Sequence, residues 1–172
     1  MTGPPPGEPA GPTSPEGLLA RLRAAGLTLA TAESLTGGLI GAALTGVAGS
    51  SAAYRGGVVC YATDLKATLA GVRQDVLDAY GPVAPQTAAA LAEGVAARCS
   101  ADLGLAVTGV AGPSDQDGHP VGEVYAAVAG PAGASVTVRR LALRGSRDDI
   151  RQATVAAALA LLGEVLTGSD RA

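Results

Sequence analysis

Residues 27–62 hold the pattern that most restricts the fold: an apolar run, a polar turn with paired glycines, a helical stripe and a second apolar run. Leu27–Thr31 reads as a strand, and Leu39, Ile40, Ala43 and Leu44 recur at helical spacing within Thr36–Leu44. Thr45–Ser51 stops that helix. Gly57–Ala62 is then a β-rich run, apolar on both faces as expected for an internal strand. Strand–helix–strand units call for parallel pairing, with helices covering both faces of the sheet.

The rest of the chain extends that scheme. Five prolines and three glycines make residues 1–12 a disordered or extended tail, leaving 13–168 as a single domain. Thr13 and Glu16 have capping-box spacing, and Leu18, Leu19, Leu22 and Ala25 form a helical stripe that ends at Gly26. Asp64 caps a short helix carrying Lys66, and a second short helix covers Arg73–Ala79. Pro85 opens a stronger one, with Ala88, Leu91, Ala92, Val95 and Cys99 on one face. Leu103–Thr108 is a buried strand, followed by the glycine-rich loop Gly109–Gly122. Glu123–Ala129 and Ser135–Leu143 form a hairpin across Gly130-Pro131-Ala132-Gly133. Ser146 and Asp149 repeat the capping spacing before a long final helix from Ile150 to Val165. The predicted fold is a three-layer α/β/α sandwich with a mixed, mostly parallel sheet of about five strands. The near-identity of Thr45–Ser51 and Thr108–Ser114 marks two similar glycine loops, since one follows a helix and the other a strand.

Composition removes several function classes. A net charge of −3, with four Tyr and no Phe or Trp, gives no basis for binding nucleic acid. Two cysteines without metal or redox spacing, and one histidine, argue against a metal site. With no signal peptide and no apolar run near 18 residues, a reduced cytoplasmic protein without a membrane segment is expected.

The chemistry centres on Ser34, which follows the first strand and precedes Gly37-Gly38. A serine there is either a helix cap or a nucleophile near backbone donors. The only histidine, His119, stands in the loop Asp117-Gly118-His119-Pro120, which reads as flexible and a poor place for a base. A Ser–Lys arrangement needs one lysine of low pKa, and Lys66 is the sole lysine beside 11 arginines. Tyr61, at or near the end of the second strand, either relays a proton between Ser34 and Lys66 or is a partly buried ring. Thr108–Pro113 lies at the C-terminal edge of another strand, where ligands of open α/β sheets bind. Of the late arginines 139, 140, 144, 147 and 151, most read as solvated, with Arg147 and Arg151 stacked around Asp148 and one of the group meeting a phosphate.

Five ordered motifs point to a family: Ala32–Gly38, Ala48–Ser51, Tyr61–Lys66, Thr108–Pro113 and Pro120–Gly122. Over roughly residues 15–165 the chain resembles the CinA C-terminal-domain family of nicotinamide-nucleotide amidohydrolases. The resemblance implies an α/β/α fold and hydrolysis of the carboxamide of nicotinamide mononucleotide to the nicotinate form, with release of ammonia. It places the family's serine, tyrosine and lysine on Ser34, Tyr61 and Lys66. Contacts to the small-molecule nucleotide are expected from Glu33, Thr36, Gly37, Gly38, Ser51, Thr108, Gly109, Gly112 and Arg147. No cofactor or metal is expected, and a homo-oligomer is. The family commonly has Asn where Thr63 stands, Ser where Thr108 stands, and Lys where His119 stands. Members are often fused to an N-terminal molybdopterin-binding-like domain, so the resemblance is to the stand-alone form. The rival readings are a non-catalytic nucleotide-binding or competence-associated module and an oligomerisation domain built on the final helix.

Overall fold

The computed structural model describes residues 11–131 and 134–169. Most of the Pro/Gly-rich tail, and the tip of the late hairpin, therefore lie outside the described residues. The elements run α1 (Pro15–Ala25), β1 (Leu29–Glu33), α2 (Leu39–Thr45), β2 (Tyr54–Val59), α3 (Thr63–Thr68), α4 (Gln74–Tyr80), α5 (Pro85–Arg98), β3 (Leu103–Gly109), β4 (Glu123–Ala129), β5 (Thr137–Ala142) and α6 (Arg147–Ser169). A 3-10 turn, Ser50–Ala52, precedes β2.

The cap of α1 is Ser14, not Thr13: its Oγ accepts the Gly17 N–H at 3.1 Å. An N-cap needs extended backbone, and the residue before a proline is held there, so Pro15 selects Ser14. Gly26 closes the helix in the left-handed region, as its spacing predicted. At α6 the expected capping box forms, with Ser146 N–H and Oγ donating to Asp149 and Asp149 N–H donating back to Ser146 Oγ.

The sheet order is β2-β1-β3-β4-β5. β1 pairs in parallel with β2 and β3, while β4 is antiparallel to both β3 and β5, so only β4 runs against the rest. β2 is an edge strand, not an internal one, and Val59 at its end is 44% exposed. The apolar run misled because Gly56 and Gly57 carry no side chain to bury. A Cβ on Gly57 would overlap the Thr31 Oγ1 of β1, so this approach of the two strands needs glycine.

Alternation along the central strands sorts side chains by size. Leu29, Leu103, Leu105, Val107 and Val124 face α1, α2 and α6, and Ala30, Ala32, Ala106 and Ala127 face α5. The small face lets α5 lie close, and a Cβ on Gly104 would overlap the Ala92 carbonyl. Cys60 is buried, whereas Cys99 is half-buried at the end of α5. Segment 147–168 passes the length and hydropathy test for crossing a bilayer, with an 18-residue window of mean hydropathy 1.3, although no such run was expected. Half of that window is buried, and Ile150, Ala158, Leu161 and Leu162 pack into the core.

Candidate active site

Because β1, β2 and β3 are parallel, their C-terminal ends open on one edge of the sheet, and three connections meet there. Ser34 is the first residue after β1 and is 7% exposed. Lys66, on α3, is 2% exposed, and its Nζ lies 3.0 Å from Ser34 Oγ and 2.8 Å from the Cys60 carbonyl oxygen. Burial pulls the ammonium down to about 8, with the nearby Cys60 pulling the other way. The charged amine donates to both oxygens. Once neutral, it can keep the bond to Cys60 and turn its lone pair to the Ser34 hydroxyl, which is the arrangement a general base requires.

The turn between Ser34 and α2 is closed on itself. Glu33 Oε2 accepts the N–H groups of Gly38 and Ile40 at 3.0 and 3.1 Å, and Oε1 accepts that of Gly41 at 2.8 Å. Gly37 N–H donates to the Ser34 carbonyl at 3.1 Å. Gly37 and Gly38 have φ of 60° and 102°, which explains the two glycines. Glu33, Thr36, Gly37 and Gly38, expected as substrate contacts, thus build the turn and do not line the cavity. The start of α2 is already filled by a carboxylate of the chain itself. Thr36 is fully buried, and among the described residues its Oγ1 has no hydrogen-bond partner.

Beside Ser34 and Lys66 opens a cavity of about 310 Å³. Pro82, Val83, Val110 and Ala111 form apolar walls, and Tyr61, Gln116 and Arg147 carry its polar side. Thr108 and Gly109 line it as expected, but the Thr108 hydroxyl is committed to the Pro82 carbonyl at 2.6 Å. A Cβ on Gly109 would come within 2.5 Å of the Glu123 carbonyl oxygen, so the strand crossing there excludes a side chain. Gly112 also lines the cavity, and Arg147 Nη1 donates to its carbonyl at 2.5 Å. Leu35 and Ala111 line it too, and no hydrogen bond among the described residues uses their N–H groups or that of Gly112.

Two expected residues differ in role. Tyr61 is 61% exposed at the cavity mouth, where Arg147 Nη2 donates to its hydroxyl at 2.9 Å. Among the described residues, no hydrogen bond joins Tyr61 to Ser34 or Lys66. Ser51 is exposed in the 3-10 turn before β2, at the opposite end of the sheet. His119 is not loose, as the sequence suggested. It bridges to Gln116 through two backbone hydrogen bonds, and Glu123 Oε2 lies 3.1 Å from its Nδ1. It faces Glu123 and does not line the cavity with Ser34. Arg139 and Arg140 pair with Glu164 and Glu123. Among the described residues, no group of three or more His, Cys, Asp and Glu is placed to hold a metal ion.

Arg151, which the sequence places only as stacked with Arg147 around Asp148, donates through Nε and Nη2 to the carbonyls of Leu35 and Thr36 at 3.0 and 3.1 Å. Its place four residues after Arg147 puts both on one face of α6 and was the only signal available.

Comparison with known proteins agrees with this architecture. The profile of the CinA C-terminal domain matches residues 13–166. A CinA-like protein of Frankia casuarinae is 50% identical over 141 residues, 82% of this chain and 32% of that protein. A putative competence-damage inducible protein of Geobacillus kaustophilus is 48% identical over 133 residues, covering 77% of this chain and 32% of the relative. The chain therefore spans about a third of the length of these relatives. Among solved structures, the competence/damage inducible protein CihA from Agrobacterium tumefaciens superposes with a TM-score of 0.84 at 36% identity, covering 94% of this chain and 99% of that one. A CinA superfamily protein from Klebsiella pneumoniae gives a TM-score of 0.84 at 31% identity, covering 91% and 96%. The chain belongs to the CinA C-terminal domain family.

Proposed function

We propose that this member of the CinA C-terminal domain family hydrolyses the carboxamide of nicotinamide mononucleotide, with Ser34 as nucleophile and Lys66 as its base. The observation that carries the reading is the 3.0 Å contact between Ser34 Oγ and an amine held near 8 beside a partly polar cavity. The substrate is taken from the motif resemblance.

Neutral Lys66 accepts the Ser34 proton as Oγ attacks the carboxamide carbon. The N–H groups of Leu35, Ala111 and Gly112 are the candidates to hold the oxyanion, a role worth on the order of 3 kcal/mol per donor. Lys66 returns its proton to the leaving nitrogen, and ammonia departs from a nicotinoyl ester on Ser34. Water, deprotonated by the same amine, then cleaves the ester and restores the hydroxyl. Lys66 acts directly in this scheme, and Tyr61 and Arg147 form the wall against which the nucleotide rests.

Ammonia release from nicotinamide mononucleotide tests the reading. Wild-type protein releases it, Ser34→Ala does not, and Lys66→Arg binds the nucleotide without turnover, because a guanidinium keeps the charge and cannot act as base. Saturable nucleotide binding by the wild type with no ammonia would establish the non-catalytic alternative instead.

A further inference from the structure

We infer that Arg151 is a positioning residue for the nucleophile, acting on the Ser34 backbone through the Leu35–Gly37 turn; the inference builds on the amidase reading of this site. Arg147 and Arg151 are one helical turn apart on α6 but do different work. Arg147 lines the cavity, whereas Arg151 is absent from its lining and reaches the back of the turn. Its guanidinium spans two consecutive carbonyls, and Nη1 lies 3.7 Å from Asp148 Oδ1, which steadies the fork. A lysine has no planar pair of donors with which to do this.

The chain of contact to Ser34 is short. In a trans peptide the carbonyl and the following N–H point opposite ways. Holding Thr36 O toward Arg151 therefore turns the Gly37 N–H away from it, onto the Ser34 carbonyl at 3.1 Å. Glu33 grips the same segment from the other side through the N–H groups of Gly38, Ile40 and Gly41. Residues 35–41 are thus suspended between a carboxylate on β1 and a guanidinium on α6. Glycine at 37 gives the backbone its positive φ, and a Cβ there would sit 3.6 Å from Arg151 Nη2.

Arg151→Met and Arg151→Lys in the full chain test the inference by two independent readouts. The first is amide hydrogen exchange. The amides of Gly37, Gly38 and Ile40 should exchange roughly tenfold faster in Arg151→Met, while those in the second half of α6 keep their protection. The second is ammonia release from nicotinamide mononucleotide. Displacing the nucleophile should lower kcat by roughly ten- to a hundredfold with KM changed less than about twofold, and lysine should not restore it. Unchanged exchange at Gly37–Ile40 overturns the positioning role. A higher KM at unchanged kcat overturns it too, and makes Arg151 a substrate contact. If the wild type releases no ammonia, the amidase reading fails, and the exchange data still decide whether Arg151 holds the turn.

Discussion

Lys66 is placed for chemistry at the expense of stability, and Lys66→Met should expose that trade. Burial takes the amine from 10.5 to about 8. At about 1.4 kcal/mol per pH unit, charging it costs about 3 kcal/mol more in the folded chain than in the unfolded one. At pH 7 both states carry the proton, so the fold bears that whole cost. Between about pH 8 and 10.5 the unfolded chain binds the proton more tightly, so stability rises with pH across that window and then levels off. Methionine keeps an unbranched side chain and removes the charge. It also strips the Cys60 carbonyl and Ser34 Oγ of donors at 2.8 and 3.0 Å, at about 1 kcal/mol each. The net is a variant about 1 kcal/mol more stable than wild type at pH 7, and about 2 kcal/mol less stable above pH 10.5.

Urea unfolding followed by far-ultraviolet circular dichroism, run on both proteins from pH 7 to pH 10.5, reads this difference. Titration of the tyrosines shared by the two proteins largely cancels in the subtraction, and a Cys60→Ala background removes the thiol that Lys66 draws down. A swing of about 3 kcal/mol with the stated sign supports the reasoning. A stability difference that stays flat across that range refutes it, because Lys66 would then ionise alike in both states. At about 2–4 °C per kcal/mol for a domain of this size, thermal melts should show the same crossing.

Two further outcomes follow from the same geometry. The kcat for ammonia release should rise with pH along a limb centred near 8, where Lys66 loses its proton, and a limb centred near 6.5 would point to another base. Glu33→Gln should cost about 2–4 kcal/mol in urea unfolding, since a carboxamide offers one acceptor oxygen where three backbone N–H groups meet a carboxylate; a loss under about 0.5 kcal/mol would mean those amides find other partners.

The order of helices and strands was legible because glycine and proline punctuate it: Gly26 and Pro85 both stand at observed boundaries. The Ser34–Lys66 pair was legible for another reason. In a chain with one lysine, a Ser–Lys mechanism leaves no choice of base. What local pattern could not supply was position across the sheet. β2 read as internal from its residue types, yet edge or centre is decided by strand order, which is a long-range property. Glu33 was expected to contact the nucleotide, and only the path of the chain brings three amides to it. His119 read as loose because Asp117-Gly118 promised a turn. That turn forms, with φ of 50° and 82°, and it is what pairs His119 with Gln116.

The two glycine loops show why motif content alone does not make a site. Thr45–Ser51 and Thr108–Ser114 differ at one position. The first ends α2, and its donors are spent locally: Gly46 N–H on Ala42, Val47 N–H on Leu44 and Ser50 N–H on Val47. The second leaves β3, where Val110 N–H donates to the Glu123 carbonyl of β4 and the Val110 carbonyl accepts from Gly122 N–H, and the N–H groups of Ala111 and Gly112 stay without partners among the described residues. Gly49 and Gly112 both have positive φ, at 76° and 86°, so backbone freedom does not separate them. Strand direction does. The first loop precedes a parallel strand and the second follows one, and only the C-terminal edge gathers Ser34, Lys66 and unspent amides around one cavity. With the start of α2 filled by Glu33, the Leu35 N–H and the loop after β3 are where an anionic centre beside Ser34 has donors to meet.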